Sequence, residues 1–422
     1  MKLHIENFAK IPRADIVLDG LTVIAGDNNT GKSTVGKILY ALFRGQSNID
    51  RRVRNERLKT IQEAFETGFL WDFPSKTGEE ILAGTRTVRE TLLESWNQHH
   101  LGDFLVTDSG AGDTAVPLPS KMLDALISKI EKQVDRARKM PADQVAWNIF
   151  LRVLECVFHR QYHPLGLQQK SSKLCLEIKG ERNEITLFRD QRPEWSWKSK
   201  LFATARFIST PDVIGLLNVR DLERERKYTN VLDKDVYELA CELVSGWGGT
   251  SLIEEAGRRE DMRHILEGID RAIGGEFIRD SDGAFGIREG GNAEVTRVEN
   301  LSMGMKSLAL LRMMVLRGAL SRQDVLILDE PEVHLHPAWQ LAYAQCIVRL
   351  QQTYELTVLV TTHSPYFLKA LDIYSRKGEI ADKTTFYHSR LEPQTGGCVF
   401  DDCRGDLNKI YQSLYEPYAE LM

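Results

Sequence analysis

The chain has 422 residues, 42% of them apolar and 27% charged, with a formal net charge of −5. That length suits two or three domains with a large core, and the composition is globular rather than disordered or fibrous. The mild acidity excludes a protein that is basic throughout, although a local basic face would suffice for nucleic acid. No run of about 18 apolar residues and no signal-peptide core occur, so a cytoplasmic protein without a membrane segment is expected.

In chain order, Leu3, Ile5 and Phe8, then Ala14, Ile16 and Leu18, alternate with polar residues and predict two antiparallel strands. LTVIAG follows as a buried strand. The run GDNNTGKS, Gly26 to Ser33, then fits GxxxxGK[ST] between a strand and a helix, the setting in which that motif cradles phosphates. Gly26 and Gly31 let the backbone curl, so that amides along Asp27, Asn28, Asn29 and Thr30 turn inward. Lys32 reaches the β/γ-phosphate oxygens, and Ser33 offers a hydroxyl to Mg²⁺. Thr34 opens a helix whose positive N-terminus faces the same anion. Val35, Ile38, Leu39 and Leu42 mark the buried face of that helix.

Residues 46 to 200 read differently. Arg51, Arg52, Arg54, Arg57 and Lys59 form a basic cluster. Leu123, Leu126, Ile127, Ile130, Val134 and Ala137 predict an amphipathic helix, too short to support a long coiled coil. Residues 107–119 read as a loop, and LCLEIKG with EITLFRD as a hairpin. The expectation is a mainly helical insertion over 46–200 between two parts of a core, 1–45 and 201–422. Six cysteines lack paired spacing, and Cys398 and Cys403 have no second pair, so packed thiols are expected. His159 and His163 lack the glutamate of HExxH, and Pro164 ends their helix, which argues against a metal site.

Further on, ATARFIST predicts a strand that Thr210-Pro211 turns into a helix. RDLERERK, residues 220–227, reads as a solvated helix face. Residues 232–273 are helical in pattern with a break at SGWGGT, and a hairpin follows with its turn at Asp282-Gly283. In LSMGMKSLALLRMMVL, Ser302 can cap an apolar helix, and with Gly304 and Lys306 it frames an anion site at the helix start. Val325 to Leu328 form a continuous apolar run ending in Asp329 and Glu330. Those acids therefore sit at the C-terminal edge of a buried strand, one for Mg²⁺ and the next to polarise water. A helix begins near Pro337. LTVLVTTHSP brings His363 to the same edge, where an imidazole can donate to a γ-phosphate or hold the attacking water.

This order of motifs resembles the ABC-type ATPases of the SMC, RecF and OLD group. GDNNTGKS is similar to their Walker A, LSMGMK to the signature, VLILDE to Walker B and TTHS to the switch-histidine loop. DEPEVHLHP followed by THSPYFL resembles most closely the OLD-like ATPases of bacterial antiphage systems, the Septu type among them. The likeness spans about residues 1 to 45 and 200 to 422. It implies an α/β P-loop ATPase head, a mixed sheet flanked by helices, using ATP and Mg²⁺. Lys32, Glu330 and His363 would be catalytic, Gly26 to Thr34 would hold nucleotide, and Ser33 and Asp329 would hold the metal. Ser302, Gly304 and Lys306 would act in trans on a second subunit's ATP, so a homodimer or larger homo-oligomer is implied.

The same resemblance implies a separate effector such as an HNH-type nuclease, with nucleic acid, DNA or a retron's RNA/DNA, as a further ligand class. Met303 and Met305 depart from the LSGGQ of transporters. Thr210 to Asp212 is the positional candidate for the glutamine loop, His336 reads as structural, and His334 as a dimer-interface residue. A DNA-repair ATPase of the RecF or SMC kind is the alternative. A self-sufficient OLD nuclease would need clustered Toprim acids, and beyond His363 the acidic pair is Asp401-Asp402.

Overall fold

The computed structural model describes residues 1–66, 75–92, 94, 120–164, 171–189, 193–218, 231–245, 252–289 and 294–419. The predicted loop at 107–119, the charged run 220–227 and the glycine-rich break at 246–250 lie outside them. The chain divides into two compact units, Met1–Ser47 with Arg152–Met422, and Asn48–Leu151.

The larger unit begins with β1 (Lys2–Phe8), β2 (Ile11–Val17) and β3 (Leu21–Gly26), then α1 (Lys32–Gln46). The smaller unit holds α2 (Ile49–Glu66), α3 (Ser75–Ala83), α4 (Ser120–Lys139) and the start of α5 (Ala142–Phe158). Ile127, Ile130, Val134 and Ala137 recur at helical spacing on α4 and bury in one cluster with Ile61, Ala64 and Phe65 of α2. The basic cluster lies on α2. Arg54 pairs with Glu79 at 3.4 Å, Lys59 with Glu63 at 3.6 Å, and Arg57 donates to the Met140 carbonyl at 2.8 Å. Part of its charge is thus spent within its own unit.

The larger unit continues through β4 (Ser171–Ile178), β5 (Glu181–Phe188), β6 (Glu194–Ser196), β7 (Ala205–Ile208) and a 3₁₀ turn at Pro211–Leu216. There follow α6 (Val231–Ser245), α7 (Leu252–Ile273), β8 (Gly275–Arg279), β9 (Phe285–Glu289), β10 (Thr296–Arg297) and α8 (Met303–Leu316). The last part is β11 (Val325–Asp329), α9 (Pro337–Tyr354), β12 (Thr357–Thr362), α10 (Pro365–Lys377), β13 (Thr384–Leu391), β14 (Cys398–Asp402) and α11 (Asn408–Ala419).

Three sheets form among the described residues. The central one runs β14-β13-β3-β12-β11-β7, parallel throughout except for β14. All six residues of β3 are buried, as are Val325 to Leu328 of β11, which is why these strands read as unbroken apolar runs. Helices flank the sheet, and α8, α9 and α10 pack apolar faces into the large core. The architecture is therefore the mixed α/β, helix-flanked sheet expected from the motif order.

The second sheet, β2-β1-β4-β5-β6, corrects the expected insertion boundaries. The β4–β5 hairpin does not close the helical segment. It pairs with β1, Leu3 opposite Leu176 and Ile5 opposite Leu174, because the free edge of β1 presents apolar residues in matching alternation. The separate unit is accordingly 48–151 rather than 46–200.

Candidate functional site

Strand register assembles the site. In the parallel pairing, Asp329 lies beside Thr361, Thr362 beside Ala25, and Ser389 beside Gly26. Segments some 300 residues apart in sequence therefore end on one C-terminal sheet edge, where open α/β sheets hold ligands.

The loop from β3 to α1 depends on glycine at two places. Gly26 has φ 155°, and a Cβ there would stand 2.0 Å from the Ser389 carbonyl oxygen. Gly31, at φ 83°, caps α1 with its Cα against Cys398, whose Sγ would be 3.0 Å from a Cβ. Between them Thr30 Oγ donates to the Asp27 carbonyl at 2.7 Å and meets the Ser389 hydroxyl at 2.7 Å, and Lys10 donates to Asn29 at 3.0 Å. Asp27, Asn28 and Asn29 are exposed on the loop. The first helical bond is Val35 N–H to the Gly31 carbonyl, so the amides of Lys32, Ser33 and Thr34 precede the ladder and are available to an anion.

Lys32 is 3% exposed, and its ammonium donates to the Gly26 and Asp27 carbonyls at 2.9 and 2.7 Å. It also stands 3.5 Å from Glu330 Oε1. Glu330 holds φ 51°, a left-handed conformation that costs a non-glycine residue about 1 kcal/mol. Its N–H donates to both the carbonyl and the hydroxyl of Thr361, each at 3.1 Å, which pins the turn. The same hydroxyl donates to Asp329 at 2.6 Å, so one threonine fixes both acids.

His363 follows directly on β12, with Nδ1 3.4 Å from Glu330 Oε2. The interaction with the imidazole, assisted by the Lys32 charge, holds the Glu330 carboxyl below its usual range against the opposing effect of burial. Reciprocally, Glu330 lifts His363 above its ordinary value. Glu332, two residues on, is buried, and desolvation pushes its carboxyl up. The sequence reading assigned no role to Glu332, Thr361 or Thr362. The available signal was an extra acid in the turn after the acidic pair, facing two successive threonines at a strand end.

A cleft of about 330 Å³ opens over this edge, lined by Ser33, Thr210, Asp329, Glu330 and His334 among others. Thr210, the glutamine-loop candidate, caps the 3₁₀ turn by accepting from Asp212 N–H, and so reaches the cleft. Ser33 and Asp329 offer it a hydroxyl and a carboxylate, hard oxygen donors that fit Mg²⁺, an ion that keeps several waters and needs few protein ligands.

The signature-like segment is held by local contacts. Ser302 Oγ caps α8 by accepting from Met305 N–H at 3.3 Å, and Lys306 donates to the Glu299 carbonyl at 3.2 Å. A Cβ on Gly304 would meet the His334 carbonyl oxygen at 2.5 Å, so this glycine is required by contact with the turn after β11. His336 caps α9, its Nδ1 accepting from Ala338 N–H at 3.3 Å.

Comparison with known proteins agrees with this arrangement. Residues 182–369 match the family model described as "AAA domain, putative AbiEii toxin, Type IV TA system", and residues 1–77 match the model "AAA ATPase domain". No curated protein matches the sequence at a significant level. Solved structures resembling the chain include three SMC heads. One, bound to the C-winged helix domain of ScpA, shares 12% identity at TM-score 0.43, covering 97% of this chain and 98% of that one. The SMC head of Thermotoga maritima shares 13% at 0.35, with 95% and 97% covered. A head with an extended coiled coil, bound to the C-terminal domain of ScpA from Pyrococcus furiosus, shares 14% at 0.42, with 99% and 98% covered. Likeness at that level bears on neither activity nor partners. The GDNNTGKS loop lies within the shorter match and the Asp329-Glu330 pair within the longer one.

Proposed function

We propose that this chain binds and hydrolyses ATP, closes head-to-tail with a second copy over two nucleotides, and thereby controls a separate effector in antiphage defence. The observation that carries the ATPase reading is the meeting of Lys32, Glu330 and His363, with Lys32 and His363 each within 3.5 Å of the Glu330 carboxylate. Phosphoryl transfer employs a buried lysine, a strained acid and an imidazole together at one sheet edge.

In this mechanism the Lys32 ammonium exchanges the Gly26 and Asp27 carbonyls and Glu330 for β- and γ-phosphate oxygens, a gain in charge complementarity. The α1 N-terminus adds amides to the same anion. Ser33 and Asp329 hold Mg²⁺, which when bound offsets the charge that develops on the phosphates. Glu330 takes a proton from the attacking water as the bond from the γ-phosphorus to the bridging oxygen breaks, giving ADP and phosphate. His363 donates to the γ-phosphate, and Ser302, Gly304 and Lys306 serve the partner's nucleotide.

The defence reading is supported by the motif likeness and by the toxin–antitoxin wording of the longer family match. An effector of the HNH-nuclease kind and a nucleic-acid ligand belong to the same proposal. A nuclease centre on Asp401 and Asp402 is less well supported, because Asp401 pairs with Arg390 and Asp402 with Arg404, and successive strand residues face opposite sides.

The test is Glu330→Gln. It is expected to retain ATP while turnover falls by two or more orders of magnitude, about 3 kcal/mol or more of barrier. Undiminished phosphate release would remove Glu330 as the base.

A further inference from the structure

Glu332 lies on the turn after β11 with 2% of its surface exposed. Its Oε1 accepts from the Thr362 hydroxyl at 2.5 Å and from the backbone N–H of His363 at 3.1 Å. Its Oε2 has no partner among the described residues. His363 Nδ1 stands 3.8 Å from that Oε1 and 3.4 Å from Glu330 Oε2, too far for a good bond to either, and has no closer partner among the described residues. Two carboxylates on one turn therefore flank a single ring nitrogen, and one buried oxygen of Glu332 and the Nδ1 of His363 remain unsatisfied. Native structures seldom leave such atoms unpaired without a use.

We propose that Glu332 is a positioning residue of the ATPase centre, taking His363 Nδ1–H away from Glu330 so that Glu330 is free for water and Nε2 for the γ-phosphate. This inference rests on the reading of Glu330 as the base. A carboxylate that faces the charges of both a lysine and an imidazole is a poor base, and both must be drawn off before it can readily accept a proton. Phosphate oxygens compete for Lys32, but nothing in that exchange removes His363. Glu332 supplies the second release. It is already fastened to the loop through Thr362 and the His363 amide, so a movement of roughly 1 Å brings Nδ1 into bonding range without moving the strand. A buried carboxylate behind an imidazole also favours the doubly protonated ring, in which Nδ1–H faces Glu332 and Nε2–H is left to donate outward.

The experiment compares four full-length proteins: wild type, Glu332→Gln, His363→Ala and the double variant. Each is assayed for steady-state ATP turnover and for the Kd of a fluorescent ATP analogue. Glu332→Gln is expected to lower kcat roughly 10- to 100-fold while the analogue's Kd stays within about twofold, the pattern of a group that orients another. In the His363→Ala background the same substitution is expected to cost nothing further, because the group it positions is gone. Thr362→Val, which unhooks Oε1 but keeps the carboxylate, should act in the same direction, and serves should glutamine unsettle the buried site. An unchanged kcat in these variants, or an undiminished loss in the His363→Ala background, overturns the role of Glu332 in a wild type that hydrolyses ATP. A wild type that neither binds nor hydrolyses ATP overturns the underlying reading and this one with it.

Discussion

At the scale of the residue, what distinguishes this site is how little of it is left to itself. Thr361 alone sets Asp329 and Glu330, through a hydroxyl that donates to one and accepts from the amide of the other. The His363–Glu330 pair has a pH signature. His363 is lifted above its ordinary 6.5, so its contribution to stability is complete below that value and is lost as pH rises through the raised one. Glu330 is depressed below its ordinary 4.5, so its share is lost as pH falls through the lowered value. Thermal midpoints of wild type and His363→Ala should therefore differ most between these two values and converge above the upper one. Both groups are partly in water, so the gap should stay under about 1 kcal/mol. A gap that widens with rising pH would mean that His363 is not held by Glu330.

At the scale of the element, α8 and the turn after β11 are locked by a backbone approach that only glycine permits. Gly304→Ala would place a methyl 2.5 Å from the His334 carbonyl oxygen and 3.3 Å from the Trp339 ring. Overpacking of that kind costs about 1–3 kcal/mol, and a fall in the urea midpoint of matching size is expected without any nucleotide. Were stability unchanged and only ATP turnover lost, Gly304 would owe its place to a ligand alone. The same contact shows why a signature-like LSMGMK is ambiguous when read alone: cap and glycine have local structural reasons, Met305 N–H and the His334 carbonyl. Strands β3, β11 and β12 were plain in the sequence because burial on both faces leaves an unbroken apolar run. The β4–β5 hairpin was equally plain as a hairpin, yet its sheet was not, since pairing with β1 joins strands over 160 residues apart.

At the scale of the molecule, the proposed head-to-tail closure predicts complementation. Lys32→Ala removes a charge-assisted phosphate contact worth about 1.5–3 kcal/mol, and Ser302→Arg blocks the segment offered to a neighbour. Each should be inactive alone, and mixing them should restore turnover, because one site of the mixed dimer keeps an intact loop and an intact signature. Light scattering should show Glu330→Gln doubling in mass with ATP. Mixtures that stay inactive would confine the whole site to one chain. The sequence by itself located the GDNNTGKS loop, the Asp329-Glu330 pair, His363 at a strand end and the helix starts, because each is written in contiguous residues whose backbone demands are local. Only the tertiary structure decided that Lys32 and His363 both reach Glu330, that Glu332 is buried beneath His363, and that the separate unit is 48–151. Those facts follow from strand register and burial, which arise between distant segments and leave no periodicity in either one.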